Sequence, residues 1–179
     1  MQARFTRSIG LPVLTNETPV VLGHLRGILI HPDTGKIEGF FVAPPGMFSG
    51  SQQFLSTVDI LHWGLRVTVR SADVLSPPEE LVRLRELLEG HRPVLGQIMR
   101  TESGRVLGRC ADIQFTTKDF RMQWLFPRRF WRYGRAIPAS QILEIRPEAI
   151  IVRDGILPAK DEAVADDALA IIPPMPEVA

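Results

Sequence analysis

The stretch that decides the fold reads Gly23-His-Leu-Arg-Gly-Ile-Leu-Ile-His-Pro-Asp-Thr-Gly-Lys-Ile-Glu-Gly-Phe-Phe-Val42. Its apolar residues fall into two runs, one ending at Ile30 and one starting at Ile37, with His31-Pro-Asp-Thr-Gly35 between them. Gly35 supplies the positive φ that short hairpin turns commonly need. The stretch therefore predicts two β-strands joined by a tight hairpin.

The same pattern returns 85 residues later, as Gly108-Arg-Cys-Ala-Asp-Ile-Gln-Phe-Thr-Thr-Lys-Asp-Phe-Arg-Met-Gln-Trp-Leu-Phe-Pro127. Identities are few, but the apolar positions agree, and residues 120–126 alternate with a period of two. Further on, Ile60-Leu61 matches Ile142-Leu143, and residues 67–70 match residues 150–153. The chain therefore predicts two copies of one small β unit, each with several short strands, as in a small barrel or sandwich.

The composition is that of an ordinary folded protein. Of 179 residues, 45% are hydrophobic and 23% are charged, which excludes wholesale disorder. The formal net charge of +1 provides no long-range field, so an electrostatic partner must be selected by a local patch. The apolar runs are too short for a signal peptide or a membrane span, and we expect a soluble protein of the cytoplasm.

One helix is predicted between the copies. Ser76-Pro-Pro-Glu79 offers a capping hydroxyl, a proline at the first turn and a carboxylate at the N-terminal end. Leucines then recur at helical spacing up to Gly90, at positions 81, 84, 87 and 88. We predict a linker helix over residues 76–90 that packs on one or both copies, with a partner-binding helix as the alternative.

On these residues the chain resembles the PRC-barrel family, the small β-barrel of the reaction-centre H subunit and of a ribosome maturation factor. The likeness lies in the strand glycines, the hairpin Ile30–Gly35 and the closing segment Ile137–Leu143 followed by Ala149–Val152. The second copy departs from it by placing Phe120 where the first has Gly35. The resemblance implies a mainly β fold of two PRC-like barrels in tandem joined by one helix. The expected boundaries are 1–75 for the first barrel, 76–90 for the linker helix, 91–157 for the second barrel and 158–179 for an acidic, mobile tail.

No set of residues with catalytic spacing is evident, and we expect neither an enzyme nor a cofactor. Asp33-Thr34-Gly35 is the triplet of aspartic proteases, which need two such carboxylates together. The second copy has Lys118-Asp119-Phe120 instead, so no internal pair can form and we interpret the triplet as a turn. Cys110 lies in an apolar strand and is expected to be an inert buried thiol. The four histidines, at positions 24, 31, 62 and 91, lack the spacing of a metal site.

The strongest functional signal is the segment Arg128-Arg-Phe-Trp-Arg-Tyr-Gly-Arg135. It lies at the end of a span, residues 92–135, that holds ten basic and three acidic residues. Guanidinium groups bind carboxylate or phosphate in forked pairs, and exposed aromatic rings stack on bases. The alternative is a barrel loop whose aromatics tuck under the sheet while the arginines stay solvated. The candidate partner-binding residues are Arg128, Arg129, Trp131, Arg132, Tyr133 and Arg135.

The resemblance implies an adaptor or assembly module, because the PRC-barrel family is known mostly for binding proteins. We expect a macromolecular partner, a protein, bound through the second barrel; an RNA- or ribosome-associated factor is the alternative. Each copy has roughly 70 residues and would be marginal alone, so the copies are expected to pack on each other or on a second chain. From Asp154 onward six acids face one lysine, a net charge of −5, and this segment could occupy the arginine patch. Met47 and Phe48 are a candidate apolar contact in the first copy, with a mobile loop tip as the alternative.

Overall fold

The computed structural model describes residues 1–17, 20–46, 52–90 and 92–155. The expected tail over 158–179, His91 and the candidate contact at Met47 and Phe48 lie outside the described residues. The described residues form a mainly β protein with two sheets, as the sequence predicts at that level.

The first sheet is built from the N-terminal half of the chain. It follows a short strand β1 (Gln2–Arg4) and a one-turn helix α1 (Phe5–Ser8). Its strands run in the order β6-β7-β2-β3-β4-β5-β8. They are β2 (Pro12–Thr15), β3 (Val21–Ile30), β4 (Ile37–Ala43), β5 (Gln53–Ser56), β6 (Ile60–Trp63), β7 (Val67–Val69) and β8 (Leu75–Ser76).

The second sheet follows the order β12-β11-β10-β9-β15-β14, with β1 paired to β10 and β13 paired to β11. The N-terminal strand β1 therefore belongs by its pairing to the second sheet, although it lies at the start of the chain. The strands are β9 (Ile98–Thr101), β10 (Val106–Thr116), β11 (Met122–Arg129), β12 (Arg132–Tyr133), β13 (Ile137–Pro138), β14 (Ile142–Ile145) and β15 (Ile150–Val152).

The pairing of the two long hairpins repeats at the offset that the sequence shows. Leu25 pairs with Val42 in the first sheet, and Cys110 pairs with Pro127 in the second. Both hairpins also carry a bulge directly after this pair, and a second bulge lies near the turn in each. The predicted hairpins are confirmed, and the repeat extends to the register of their strands.

The two halves meet where the turns of these hairpins face each other. The Ile37 amide donates to the Phe120 carbonyl at 2.7 Å, and the Met122 amide donates to the Gly35 carbonyl at 2.9 Å. Lys36 and Arg121, which are equivalent residues in the two copies, form the bridge between these bonds. By the offset of 85, Ile37 is equivalent to Met122 and Gly35 to Phe120, so each hydrogen bond is the counterpart of the other. The contact therefore has local twofold symmetry.

A single apolar core lies behind this contact. The ring centroids of Phe40 and Trp63, from the first half, lie 6.0 and 5.5 Å from that of Phe115 in the second half. The Phe120 ring also contacts both of them, with centroid distances of 6.1 and 5.8 Å. Aromatic pairs at these separations stabilise a core beyond their buried area. The expected packing of the two copies on each other is therefore present.

The Phe120 turn keeps the geometry of the Gly35 turn. Phe120 has a φ of +49° and Gly35 has a φ of +65°. A phenylalanine is disfavoured at positive φ. Its ring is buried in the shared core, and this burial offsets the backbone strain.

The predicted linker helix over 76–90 is wrong for most of its length. Ser76 ends β8 and caps no helix; two 3-10 turns follow, Pro78–Glu80 and Val82–Leu84, before a short helix α2 (Arg85–Glu89). Pro77 is extended because the proline that follows it disfavours the α-helical conformation. Of the four leucines, Leu84 is buried and Leu81, Leu87 and Leu88 are half-buried, so their spacing reflects burial without a long helix. Closure of either sheet into a complete barrel is not present in the strand pairing of the residues that the structure describes.

Candidate functional site: an arginine-rich hairpin

The candidate residues of the sequence analysis lie together in one β-hairpin, residues 128–135, which we call the arginine hairpin. Arg128 pairs with Tyr133, and Arg129 pairs with Arg132. Phe130 and Trp131 form the two-residue turn between them. The Gly134 amide donates to the Pro127 carbonyl at 2.8 Å and fixes the returning strand at its base.

The aromatic side chains of the arginine hairpin lie in solvent. Trp131 is 96% exposed, Phe130 is 84% exposed and Tyr133 is 55% exposed. The alternative in which the aromatics tuck under the sheet is therefore wrong. A two-residue turn explains this exposure, because it leaves the residues at the tip no neighbouring strand to pack against.

Three of the four arginines of the hairpin lack carboxylate partners within the described part of the chain. Arg128, Arg129 and Arg132 form no ion pair there, and the strand pairing brings Arg109 opposite Arg128. Like charges directly opposite each other on a sheet are unfavourable. The Arg128 guanidinium lies 6.0 Å from the centre of the Tyr133 ring, a weak cation–π contact. The hairpin therefore concentrates positive charge that the described chain leaves uncompensated.

A groove of about 410 Å³ lies at the base of the hairpin. Three guanidinium-bearing residues line its walls, Arg105, Arg129 and Arg135, and its floor includes the apolar side chains of Val106, Pro127 and Ile137. Such a groove is large enough for a side chain or a short extended segment. Its chemistry suits a ligand that combines an anionic group with an aliphatic or aromatic body.

The first half ends the equivalent strand differently. By the offset of 85, Arg128 corresponds to Ala43, which is followed by Pro44, Pro45 and Gly46. No arginine occurs between residues 43 and 51, so the first half has no counterpart of the charge cluster. Among the described residues of the first half, the most exposed large apolar one is Leu65, 95% exposed, in the turn between β6 and β7.

The turn at Asp33 is held by an arginine. Arg92 donates two hydrogen bonds to the Asp33 carboxylate, at 2.8 and 3.1 Å. These hydrogen bonds lower the pKa of Asp33 below its ordinary value, so the group stays ionised at neutral pH. The interpretation of this triplet as a turn is confirmed.

Cys110 is fully buried in β10 and does not form a disulfide. Burial, with the nearby Asp112 charge, raises the pKa of the thiol to about 12. The sulfur is therefore protonated at neutral pH and is not a nucleophile. The prediction of an inert buried thiol is confirmed.

Sequence reasoning missed a buried carboxylate, Asp112, at the bulge of β10. It accepts hydrogen bonds from Arg4 Nε at 2.8 Å, from the Thr6 amide at 2.9 Å and hydroxyl at 2.6 Å, and from the Ile113 amide at 2.8 Å. All its partners are groups of this chain, so its role is to anchor the N-terminal segment to β10. The only sequence signal for it is one acid inside an otherwise apolar strand.

Within the described ranges, no group of three or more histidine, cysteine or acidic side chains could hold a metal ion. No helix in the same ranges is long and apolar enough to cross a membrane.

The six candidate residues are thus brought together, and three neighbours were missed: Phe130 at the tip, and Arg105 and Arg109 on β10 or its approach. Both missed arginines lie within the basic span of residues 92–135, which was the available signal. No model of a protein family matches this chain, and the curated proteins contain no match to it.

Proposed function

We propose that this chain is a non-enzymatic adaptor or assembly module that binds an acidic protein partner through the arginine hairpin. The observation that carries the proposal is a set of arginines without carboxylate partners in the described chain, Arg128, Arg129 and Arg132, beside aromatic rings that are exposed to solvent. Arginine, tryptophan and tyrosine dominate the binding energy of protein interfaces.

The groove supports a protein ligand. A carboxylate of a partner could accept forked hydrogen bonds from Arg105, Arg129 or Arg135, while a neighbouring aliphatic side chain packs on the apolar floor. Acidic protein segments carry both groups close together. Phosphate groups of RNA would satisfy the arginines but leave the apolar floor unused.

Single-stranded RNA is the second candidate partner, and the exposed rings of Trp131 and Tyr133 favour it. Bases stack on exposed aromatic rings without sequence preference, and arginines neutralise the neighbouring phosphates. Binding of this kind weakens steeply with salt, in proportion to the number of phosphates contacted.

For the fold, we propose that each half is a version of one PRC-like barrel unit and that residues 76–90 join them. The shared hairpin register and the shared bulges support a common origin of the halves. In such a pair the first half contributes to the common core, and the second half presents the binding hairpin. A place in the PRC-barrel family would accord with a binding role.

The test uses the full chain and two defined probes, poly-glutamate for an acidic protein and oligo-uridine for RNA. Replacing Arg128, Arg129, Arg132 and Arg135 together by alanine should lower poly-glutamate binding between about fourfold and a thousandfold, since each exposed charge pair contributes about 0.2–1 kcal/mol. The matched control removes four exposed arginines elsewhere: Arg26, Arg66, Arg70 and Arg85.

The outcome separates the candidates. Loss of poly-glutamate binding in the hairpin variant but not in the control supports the protein-binding role. Tighter binding of oligo-uridine than of poly-glutamate would favour RNA. Equal binding by the two variants would show that the arginine hairpin is not the site.

A further inference from the structure

The tip of the arginine hairpin is distinct from the groove at its base. Phe130 and Trp131 are among the most exposed large apolar residues of the described chain, and they are neighbours in a two-residue turn. A protein ligand seated in the groove contacts the base of the hairpin and leaves a convex tip of this kind uncovered.

The two-residue turn needs a positive φ at its first position, and glycine would adopt that conformation without strain. Phe130 has a φ of +53°, a conformation in which a bulky residue is an outlier. At Phe120 a similar strain is offset because the ring is buried in the core. The Phe130 ring is 84% exposed, so within the described chain no burial offsets its strain. Strain of this kind, kept at an exposed position, points to a functional role.

The order of side chains along the hairpin defines the chemistry of the matching surface. The two aromatics lie at the end, Arg129 and Arg132 lie one residue behind them, and Arg128 lies two residues behind. With a rise of about 3.3 Å per residue, the guanidinium-bearing positions lie roughly 3–7 Å behind the tip. The matching surface must therefore be anionic outside and apolar a few ångströms below.

An anionic lipid bilayer has this layering. Its phosphate groups lie at the surface, and amphipathic elements bury their apolar residues roughly 5–10 Å into the boundary between headgroups and acyl chains. Tryptophan is enriched at that depth. We propose that Phe130 and Trp131 insert into the interface of an anionic membrane while the arginines behind them bind lipid phosphates.

This inference goes beyond the proposed function, since it assigns a role to the tip; Arg129 lines the groove and also lies one residue behind the tip, so an acidic partner and lipid phosphates would share this arginine. The backbone of the hairpin is compatible with insertion. Its pairs Arg128 with Tyr133 and Arg129 with Arg132 satisfy polar backbone groups next to the tip, which lowers the cost of entering an apolar layer.

The experiment uses the full chain with vesicles of phosphatidylcholine and phosphatidylglycerol, and with vesicles of phosphatidylcholine alone. We expect sedimentation with the anionic vesicles and a blue shift of tryptophan emission. Trp63 is 7% exposed and Trp124 is half-buried, so the shift reports mainly on Trp131. A Trp131→Phe variant should keep most of the binding and lose the shift.

The decisive variant replaces Phe130 and Trp131 together by serine, and its partition into anionic vesicles should fall on the order of a hundredfold. Leu65→Ser is the matched control, because Leu65 is equally exposed but lies in the first half; its partition should not change. Both variants change only exposed side chains, and a thermal unfolding curve like that of the wild type confirms that they fold.

Three results would overturn the inference. They are no sedimentation of the wild type with anionic vesicles, equal sedimentation with neutral vesicles, and unchanged sedimentation of the double serine variant. If that variant instead loses binding to poly-glutamate or oligo-uridine and the wild type ignores vesicles, the tip belongs to a protein or RNA interface. Failure of the groove proposal has a separate signature, which is retention of poly-glutamate by the four-arginine variant.

Discussion

The two halves of this protein share the pairing register of their long hairpins. They carry different side chains at two equivalent positions, one in a bulge and one in a turn. Gly27 and Asp112 lie in equivalent bulges of the two halves, and Gly35 and Phe120 lie in equivalent turns. The strand pairing is the same around both pairs. The shared strand register is therefore specified by the spacing of apolar residues and by the bulges. A single position within a strand or turn can carry a different side chain without changing that register.

At the bulge the difference follows from what covers it. A side chain at Gly27 would meet the Phe41 ring at 2.9 Å, so the first half has no space for one. In the second half the equivalent ring, Phe126, is covered by the Arg4 guanidinium at 3.9 Å, and that arginine pairs with Asp112. The N-terminal segment thus makes the second bulge able to hold a buried charge.

The largest expected effect comes from breaking this difference with Asp112→Ala. The change leaves two backbone amides and the partly exposed Arg4 guanidinium without their acceptor, and each buried donor left unsatisfied costs about 1–3 kcal/mol. Urea unfolding of the full chain measures the loss. Arg7→Ala, at an exposed position one residue past Thr6, is the control and should stay within about 0.5 kcal/mol of the wild type. Equal stability of the two variants would refute the anchoring role.

A somewhat smaller effect is expected for Phe120→Gly, which makes the second turn like the first. Loss of a buried phenylalanine side chain costs about 3–5 kcal/mol, and relief of the positive φ returns about 1 kcal/mol. We therefore expect a net destabilisation of about 2–4 kcal/mol in urea unfolding. A stabilised variant would mean that the Phe120 ring does not hold the two halves together.

The smallest effect has the opposite sign. Phe130→Gly removes the strain at the tip and gives up no buried contact, so the free energy of unfolding should rise by about 0.5–1 kcal/mol. Trp131→Gly is the control, because Trp131 has no positive φ, and it should not stabilise the chain. If Phe130→Gly lowers the unfolding midpoint, the positive φ at the tip is not a source of strain.

The features that could be predicted from the sequence were those that depend on local periodicity and on the internal repeat. The hairpins followed from apolar runs around a turn at His31 to Gly35, and the second copy followed from the offset of 85. The position of the arginine hairpin followed from its charge and aromatic content. The exposure of its aromatic residues could not be predicted, because the same sequence is compatible with a loop whose aromatics are buried and with one whose aromatics are in solvent. Only the two-residue turn distinguishes the two.

The remaining features depend on contacts between distant residues. Asp112 pairs with Arg4 across 108 positions of the chain, and no local pattern signals that pairing. Phe120 adopts a glycine-like turn because its ring enters the core of the other half. The helix over 76–90 failed for a local reason, since the pair Pro77-Pro78 outweighs the leucine spacing that follows it.

The most direct measurement is an amide NMR titration of the full chain with poly-glutamate, because it reads both halves at once. We expect shift changes at Arg105 and at residues 128–135, with the equivalent positions of β3 and β4 unchanged. Such a map would place binding in the second half, although both halves share the same strand register. Changes spread evenly over both halves, or centred on Leu65 in the first, would contradict the assignment of binding to the arginine hairpin.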